Sequence, residues 1–167
     1  RMNFRFLIPG KAREAFLLSG YQEYLKRLSK YAKCEIISLP EEPLGKKASA
    51  KEISVALKKE ADRRRKQIKE SDYVFLIDIH GKEYSSREFA SLLSDATSRN
   101  GNIDFVFGSS RGLDDSLRKR ADSSLSLSNL TFTHYRALLL VLEQVYRARK
   151  INSGESYDKS RPPLIVF

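Results

Sequence analysis

The run Asp72-Tyr-Val-Phe-Leu-Ile-Asp-Ile79 constrains this chain more than any other segment, because it is strand-length and almost continuously apolar. A strand with one wet face alternates polar and apolar residues. One that does not alternate is covered on both faces, which is the environment of a parallel sheet sandwiched between helices. The run is therefore expected to be a central strand, and Ile103 to Phe107 repeats the signature.

The rest of the chain supplies elements for such a sheet. Met2 to Ile8 reads as a first strand ended by Pro9-Gly10. Leu17, Tyr21, Tyr24, Leu25 and Leu28 then recur on one helical face, and Cys34 to Leu39 forms a second strand. Pro40 to Lys47, with two prolines and a glycine, reads as an exposed, mobile connection. A helix over Ala50 to Glu70 is expected to turn Ile53, Leu57, Ala61 and Ile68 inward and Arg63, Arg64, Arg65, Lys66 and Lys69 outward. That basic cluster is open to two readings, a solvated face offsetting Glu52 and Glu60 or a contact for nucleic-acid phosphates.

After the apolar run, His80-Gly-Lys reads as a turn. Ser85 and Glu88 have capping-box spacing for a helix burying Phe89, Leu92, Leu93 and Ala96, which Asn100-Gly101 closes. A short basic helix over Asp114 to Ala121, a strand over Ser123 to Leu127 and an apolar helix from Tyr135 to Ile151 complete the chain. Strands alternating with helices predict an α/β fold, a mainly parallel sheet with helices on both faces. Residues 2–159 are expected to form a single domain, with 160–167 as an added C-terminal extension.

Lys and Arg total 31 against 21 Asp and Glu, a formal net charge of +10, which favours a polyanionic partner. No apolar run reaches the roughly 20 residues that span a bilayer, and no secretory signal pattern is present, so no membrane association is expected. Cys34 is the single cysteine; it excludes an internal disulfide and argues against a thiolate metal site. It is expected to be a small buried side chain in a cytoplasmic protein, with no metal.

In parallel α/β sheets, ligands collect beyond the C-terminal strand ends. Three segments are expected to converge there: Ile77 to Lys82, Gly108 to Leu113, and Leu127 to His134. Neither the glycine pattern of a dinucleotide site nor that of a P-loop occurs. Gly108 and Gly112 flank a turn, which by itself is ordinary turn geometry.

The wording of the last third is more specific. Ser126-Leu-Ser-Asn-Leu-Thr-Phe-Thr-His134, Leu142-Glu-Gln-Val-Tyr-Arg-Ala148 and Gly154-Glu-Ser-Tyr157 follow in order, and together they resemble the RlmH family, small SPOUT-class methyltransferases of ribosomal RNA. The resemblance implies a deep C-terminal trefoil knot that binds S-adenosyl-L-methionine. It implies cofactor contacts at Ile77, Gly108, Leu127, Ser128, Asn129, Leu130, Thr131 and Phe132. It further implies a homodimer acting on N3 of a pseudouridine in helix 69 of 23S ribosomal RNA, within the assembled ribosome.

N3 carries a proton at neutral pH, so attack on a sulfonium methyl needs a base or a cation nearby. His134 and Arg147 are the candidates, with the C-terminal Tyr157 and Asp158. As plain structure, His134 would cap the following helix and Arg147 would pair with Glu143. The chain departs from the family at Ser109, where a second glycine is usual, and at Asp158, where Tyr-His is usual. The alternative function is a catalytically silent RNA- or ribosome-binding module that keeps the fold.

Overall fold

The structure, a computed structural model, describes residues 2–155. Tyr157, Asp158 and the 160–167 extension lie outside the described residues. Five strands, β1 (Asn3–Pro9), β2 (Lys33–Leu39), β3 (Tyr73–Lys82), β4 (Asn102–Phe107) and β5 (Ser123–Leu125), form one sheet among them. The order is β2-β1-β4-β3-β5 and every neighbouring pair is parallel. Helices α1 (Ala15–Leu28), α3 (Ser86–Arg99) and α5 (His134–Asn152) cover one face; α2 (Ala50–Lys66) and α4 (Asp115–Arg120) cover the other.

The period-2 geometry of the strands sorts their side chains between two cores. Phe4, Phe6, Phe75, Ile103, Phe105 and Phe107 face α1, α3 and α5, whereas Leu7, Val74, Leu76 and Val106 face α2 and α4. Register places Phe6, Phe105 and Phe75 side by side on three adjacent strands. Their rings stack at 5.0 and 5.2 Å between centroids, and Phe89 of α3 closes the row edge-on at 5.7 Å. Such pairs add about 0.5–1.5 kcal/mol each beyond the area they bury.

At the N-terminal ends of the strands, the second face turns polar. Arg5 Nη1 lies 3.1 Å from Asp72 Oδ2 and 3.2 Å from Asp104 Oδ1, and Asp104 is fully buried. Burial, then the neighbouring Asp72 carboxylate, pushes the Asp104 carboxyl up to about 8, against the pull of Arg5. Burial also opposes ionisation of Asp72, but hydrogen bonds from Asp104 and the Lys69 N–H outweigh it, and that carboxyl falls below its ordinary range. At neutral pH Asp104 therefore holds a proton that Asp72 shares.

Several expectations need correcting. β3 is an interior strand, but the middle position belongs to β4, which pairs with both β1 and β3. His80-Gly-Lys is not a free turn: the strand continues to Lys82 across a register shift and re-pairs with Leu125. On α2 the buried residues are Ala56, Glu60, Ala61 and Arg64, while Ile53 and Leu57 are only half-buried and Ile68 lies beyond the helix. The small side chains of Ala56 and Ala61 let that face approach the sheet.

Glu60 is held inside because its carboxylate accepts the Glu42 N–H at 2.8 Å. Arg63 donates to the Pro40 carbonyl and to Glu42, so the start of the 40–47 connection is tied to α2. Arg64, expected on the outer basic face, is 1% exposed, and none of its guanidinium nitrogens has a hydrogen-bond partner among the described residues. Burial lowers it to about 10, with Glu60 and Asp114 opposing. Cys34 is half-buried on the edge strand, less enclosed than expected.

Candidate cofactor pocket

Beyond the C-terminal ends of β3, β4 and β5 lies a cavity of about 340 Å³, within the size range of small-molecule sites. All three expected segments line it. From the β3 end come Ile77, Asp78, Ile79 and His80; from the turn after β4 come Gly108, Ser109, Ser110, Gly112 and Leu113. The loop before α5 supplies Leu127, Ser128, Leu130, Thr131, Phe132 and Thr133, and α5 itself supplies His134 and Ala137.

Local chemistry explains why these segments take these shapes. Gly81 at the β3 register shift lies against β5, where a β-carbon would come within 2.8 Å of the Ser124 carbonyl carbon and 2.9 Å of the Leu125 nitrogen. At Gly108 a β-carbon would meet Leu113 Cγ at 2.9 Å and the Gly112 oxygen at 3.0 Å. Ser109, by contrast, fits its turn: it exchanges backbone hydrogen bonds with Gly112, and its hydroxyl accepts the Arg111 N–H at 3.2 Å.

The hydroxyl-rich loop is held by its own side chains. Ser126 Oγ donates to the Ser128 carbonyl and Ser128 Oγ accepts the Leu130 N–H at 3.0 Å. Ser126 N–H donates to the Lys82 carbonyl, fastening the loop to the end of β3. Thr133, not His134, caps α5, its hydroxyl accepting the Arg136 N–H. Leu130 and Phe132 remain 73% and 42% exposed beside the cavity, as Ile79 does at 41%, so apolar surface faces the ligand space. Asn129 is exposed and does not line it.

Of the candidate catalytic residues, the two described ones, His134 and Arg147, do not gather within one chain. His134 forms part of the wall with its side chain 10% exposed, and its Nε2 stands 3.5 Å from Glu41 Oε1. Burial lowers its basicity and the nearby Arg64 adds to this; Glu41 and the Pro9 carbonyl oppose. The ring is thus predominantly neutral at pH 7 and able to accept a proton. Arg147 lies thirteen positions further along α5, roughly 20 Å away at 1.5 Å per residue. It faces Glu143 at 3.5 Å, outside the cavity.

Asp78 falls within the expected Ile77 to Lys82 segment but carries no role in the sequence reading, and Arg118 is not expected at the pocket at all; both line it and pair at 3.0 Å. Arg118 comes from α4, with no local pattern pointing to it.

A parallel sheet covered by helices on both faces, with a cavity at its C-terminal strand ends, defines a protein of the α/β class. The chain belongs to the family described as predicted SPOUT methyltransferase, which matches residues 2–158. It is 43% identical over 159 residues to the ribosomal RNA large subunit methyltransferase H of Clostridioides difficile (strain 630), covering 95% of this chain and all of that protein. A putative ribosomal RNA large subunit methyltransferase H of Methanoregula boonei is 45% identical over 159 residues with the same coverage. Among solved structures, a probable methylase family protein from Haemophilus influenzae Rd KW20 superposes with a TM-score of 0.56 at 13% identity. That match covers 98% of this chain and 73% of the other, and it speaks to the fold alone.

Proposed function

We propose that this protein is an S-adenosyl-L-methionine-dependent methyltransferase of the large ribosomal RNA, acting on N3 of a pseudouridine in helix 69 of 23S RNA in the assembled ribosome. The observation that carries the reading is the convergence of Ile77, Gly108 and the 127–132 loop on one cavity of cofactor size. Full-length relatives that carry the methyltransferase name support it. The net charge of +10 suits an RNA partner. Among the described residues no helix is long and apolar enough to cross a membrane, and we place the protein in the cytoplasm with its substrate.

The residues present fit the cofactor. Leu127, Leu130 and Phe132 offer apolar surface to an adenine, backbone groups of the 127–132 loop can take its polar edge, and the lack of a β-carbon at Gly108 keeps the facing turn compact. The bound cofactor supplies an electrophilic methyl group on a sulfonium. His134 accepts the N3 proton in this scheme, with Glu41 stabilising the imidazolium. Arg147, distant from the pocket of its own chain, is assigned to positioning RNA across a homodimer, together with Tyr157 and Asp158. Exposed Phe16 and Leu18 on α1, 55% and 43% accessible, are surface that such pairing would cover.

Isothermal titration tests the cofactor assignment first. Saturating ligand at a hundred times its dissociation constant is expected to raise stability by about 2.7 kcal/mol, whereas no heat up to millimolar ligand removes the proposal. Transfer of a tritiated methyl group to ribosomes lacking the modification tests the substrate. Replacement of His134 by alanine is expected to lower the rate about a hundredfold. Because burial lowers its pKa, the acid limb that this residue contributes to the pH–rate profile should lie below 6.5 and vanish in the variant. Full turnover in His134→Ala rules out its role as base.

A further inference from the structure

One charged pair in the cavity wall has no part in the scheme above. Asp78 is 8% exposed; its Oδ1 accepts the His80 N–H at 3.1 Å and its Oδ2 accepts Arg118 Nε at 3.0 Å. Arg118 also donates through Nη1 to Asp115 at 3.1 Å, and both Asp78 and Arg118 line the cavity. With Nε and one proton of Nη1 engaged, Nη2 has no hydrogen-bond partner among the described residues. The guanidinium is therefore held at Nε and Nη1 while Nη2 keeps its donors, so Nη2, with the remaining Nη1 proton, can receive a carboxylate. Asp78, with lone pairs to spare, presents the opposite charge beside it.

We propose that Asp78 and Arg118 form a subsite for the zwitterionic α-amino-acid end of the methyl donor, Arg118 taking the α-carboxylate and Asp78 the α-ammonium. The assignment rests on the cofactor reading above. A zwitterion satisfies both members of the pair. An RNA phosphate would satisfy Arg118 alone and meet the charges of Asp78 and Asp115. The two aspartates also hold the guanidinium in place before ligand arrives, so little side-chain entropy is lost on binding.

The test compares S-adenosyl-L-methionine with its decarboxylated analogue, which lacks only the carboxylate, and with 5′-methylthioadenosine, which lacks the whole amino-acid end. Calorimetry on the unaltered protein is expected to show at least about tenfold weaker binding of the decarboxylated analogue, as loss of a charge-assisted hydrogen bond implies. Arg118→Gln is expected to bring that ratio close to one while the affinity for methylthioadenosine, which reports an intact pocket, stays within about twofold. A ratio near one in the unaltered protein overturns the proposal, and so does a ratio that survives in Arg118→Gln.

Should the glutamine variant fail to fold, Arg118→Lys replaces it. An ammonium cannot present that planar pair of donors, so an undiminished ratio there overturns the proposal as well. If Arg118→Gln instead preserves the ratio and lowers the salt dependence of RNA binding by one phosphate contact, the residue belongs to the RNA interface. If none of the three ligands binds the unaltered protein, the cofactor reading itself fails and the subsite falls with it.

Discussion

The two ends of the same sheet are built on opposite principles. At the N-terminal strand ends, Arg5, Asp72 and Asp104 are packed and paired, and the structure is closed around them. At the C-terminal ends, β3 shifts register, glycines at 81 and 108 allow close backbone approach, and apolar side chains stay half-exposed around a cavity. Both ends contain a charged pair, yet in one the partners satisfy each other and in the other Arg118 keeps donors in reserve. Stability is invested at one end and binding capacity at the other.

The sharpest attack on this contrast is Arg5→Ala. Removing the cation from the buried Asp72 carboxylate and its protonated neighbour Asp104 is expected to cost about 3 kcal/mol of folding stability, measured by denaturant unfolding. The dissociation constant of the folded fraction for S-adenosyl-L-methionine should be unchanged. A lost affinity without lost stability would dissolve the distinction between the two ends. Gly108→Val should do the reverse, with overpacking against Leu113 and the Gly112 carbonyl costing about 1–2 kcal/mol while cofactor binding suffers most.

Smaller and more diagnostic is Asp104→Asn. Asp104 holds its proton to about pH 8 when folded, against an ordinary value of 3.8 when unfolded. Between those values the native state binds more protons, so its contribution to stability is fully present below 3.8 and declines as pH rises toward 8. The asparagine variant has no such proton to lose. Its stability relative to the parent should therefore rise by about 1 kcal/mol or more from pH 5 to pH 8, read from urea midpoints. A difference independent of pH would show that Asp104 is ionised throughout.

These contrasts also mark where sequence reading succeeds. The alternation of strands and helices, the capping box at Ser85 and Glu88, and the three converging loops follow from local patterns, and the structure contains all of them. The capping box at Ser49 and Glu52 was equally available as a signal for α2 and went unread. The buried face of α2 was not legible, because Ala56 and Ala61 carry too little hydrophobic signal to reveal that they set the approach to the sheet, and Glu60 and Arg64 are carried inward with them.

Arg118 was hidden for a different reason: its role depends on Asp78, forty residues away on another element. The wall formed by 127–132 was legible through its resemblance to a family, while the distance between His134 and Arg147 is simple helix arithmetic that the motif order obscured.

Phe132 offers one practical consequence. The chain contains no tryptophan, and this ring stands partly in water at the edge of the cavity. Phe132→Trp would make a lone indole emitter whose spectrum shifts to the blue when an adenine displaces solvent from its face, turning the pocket into its own fluorimeter.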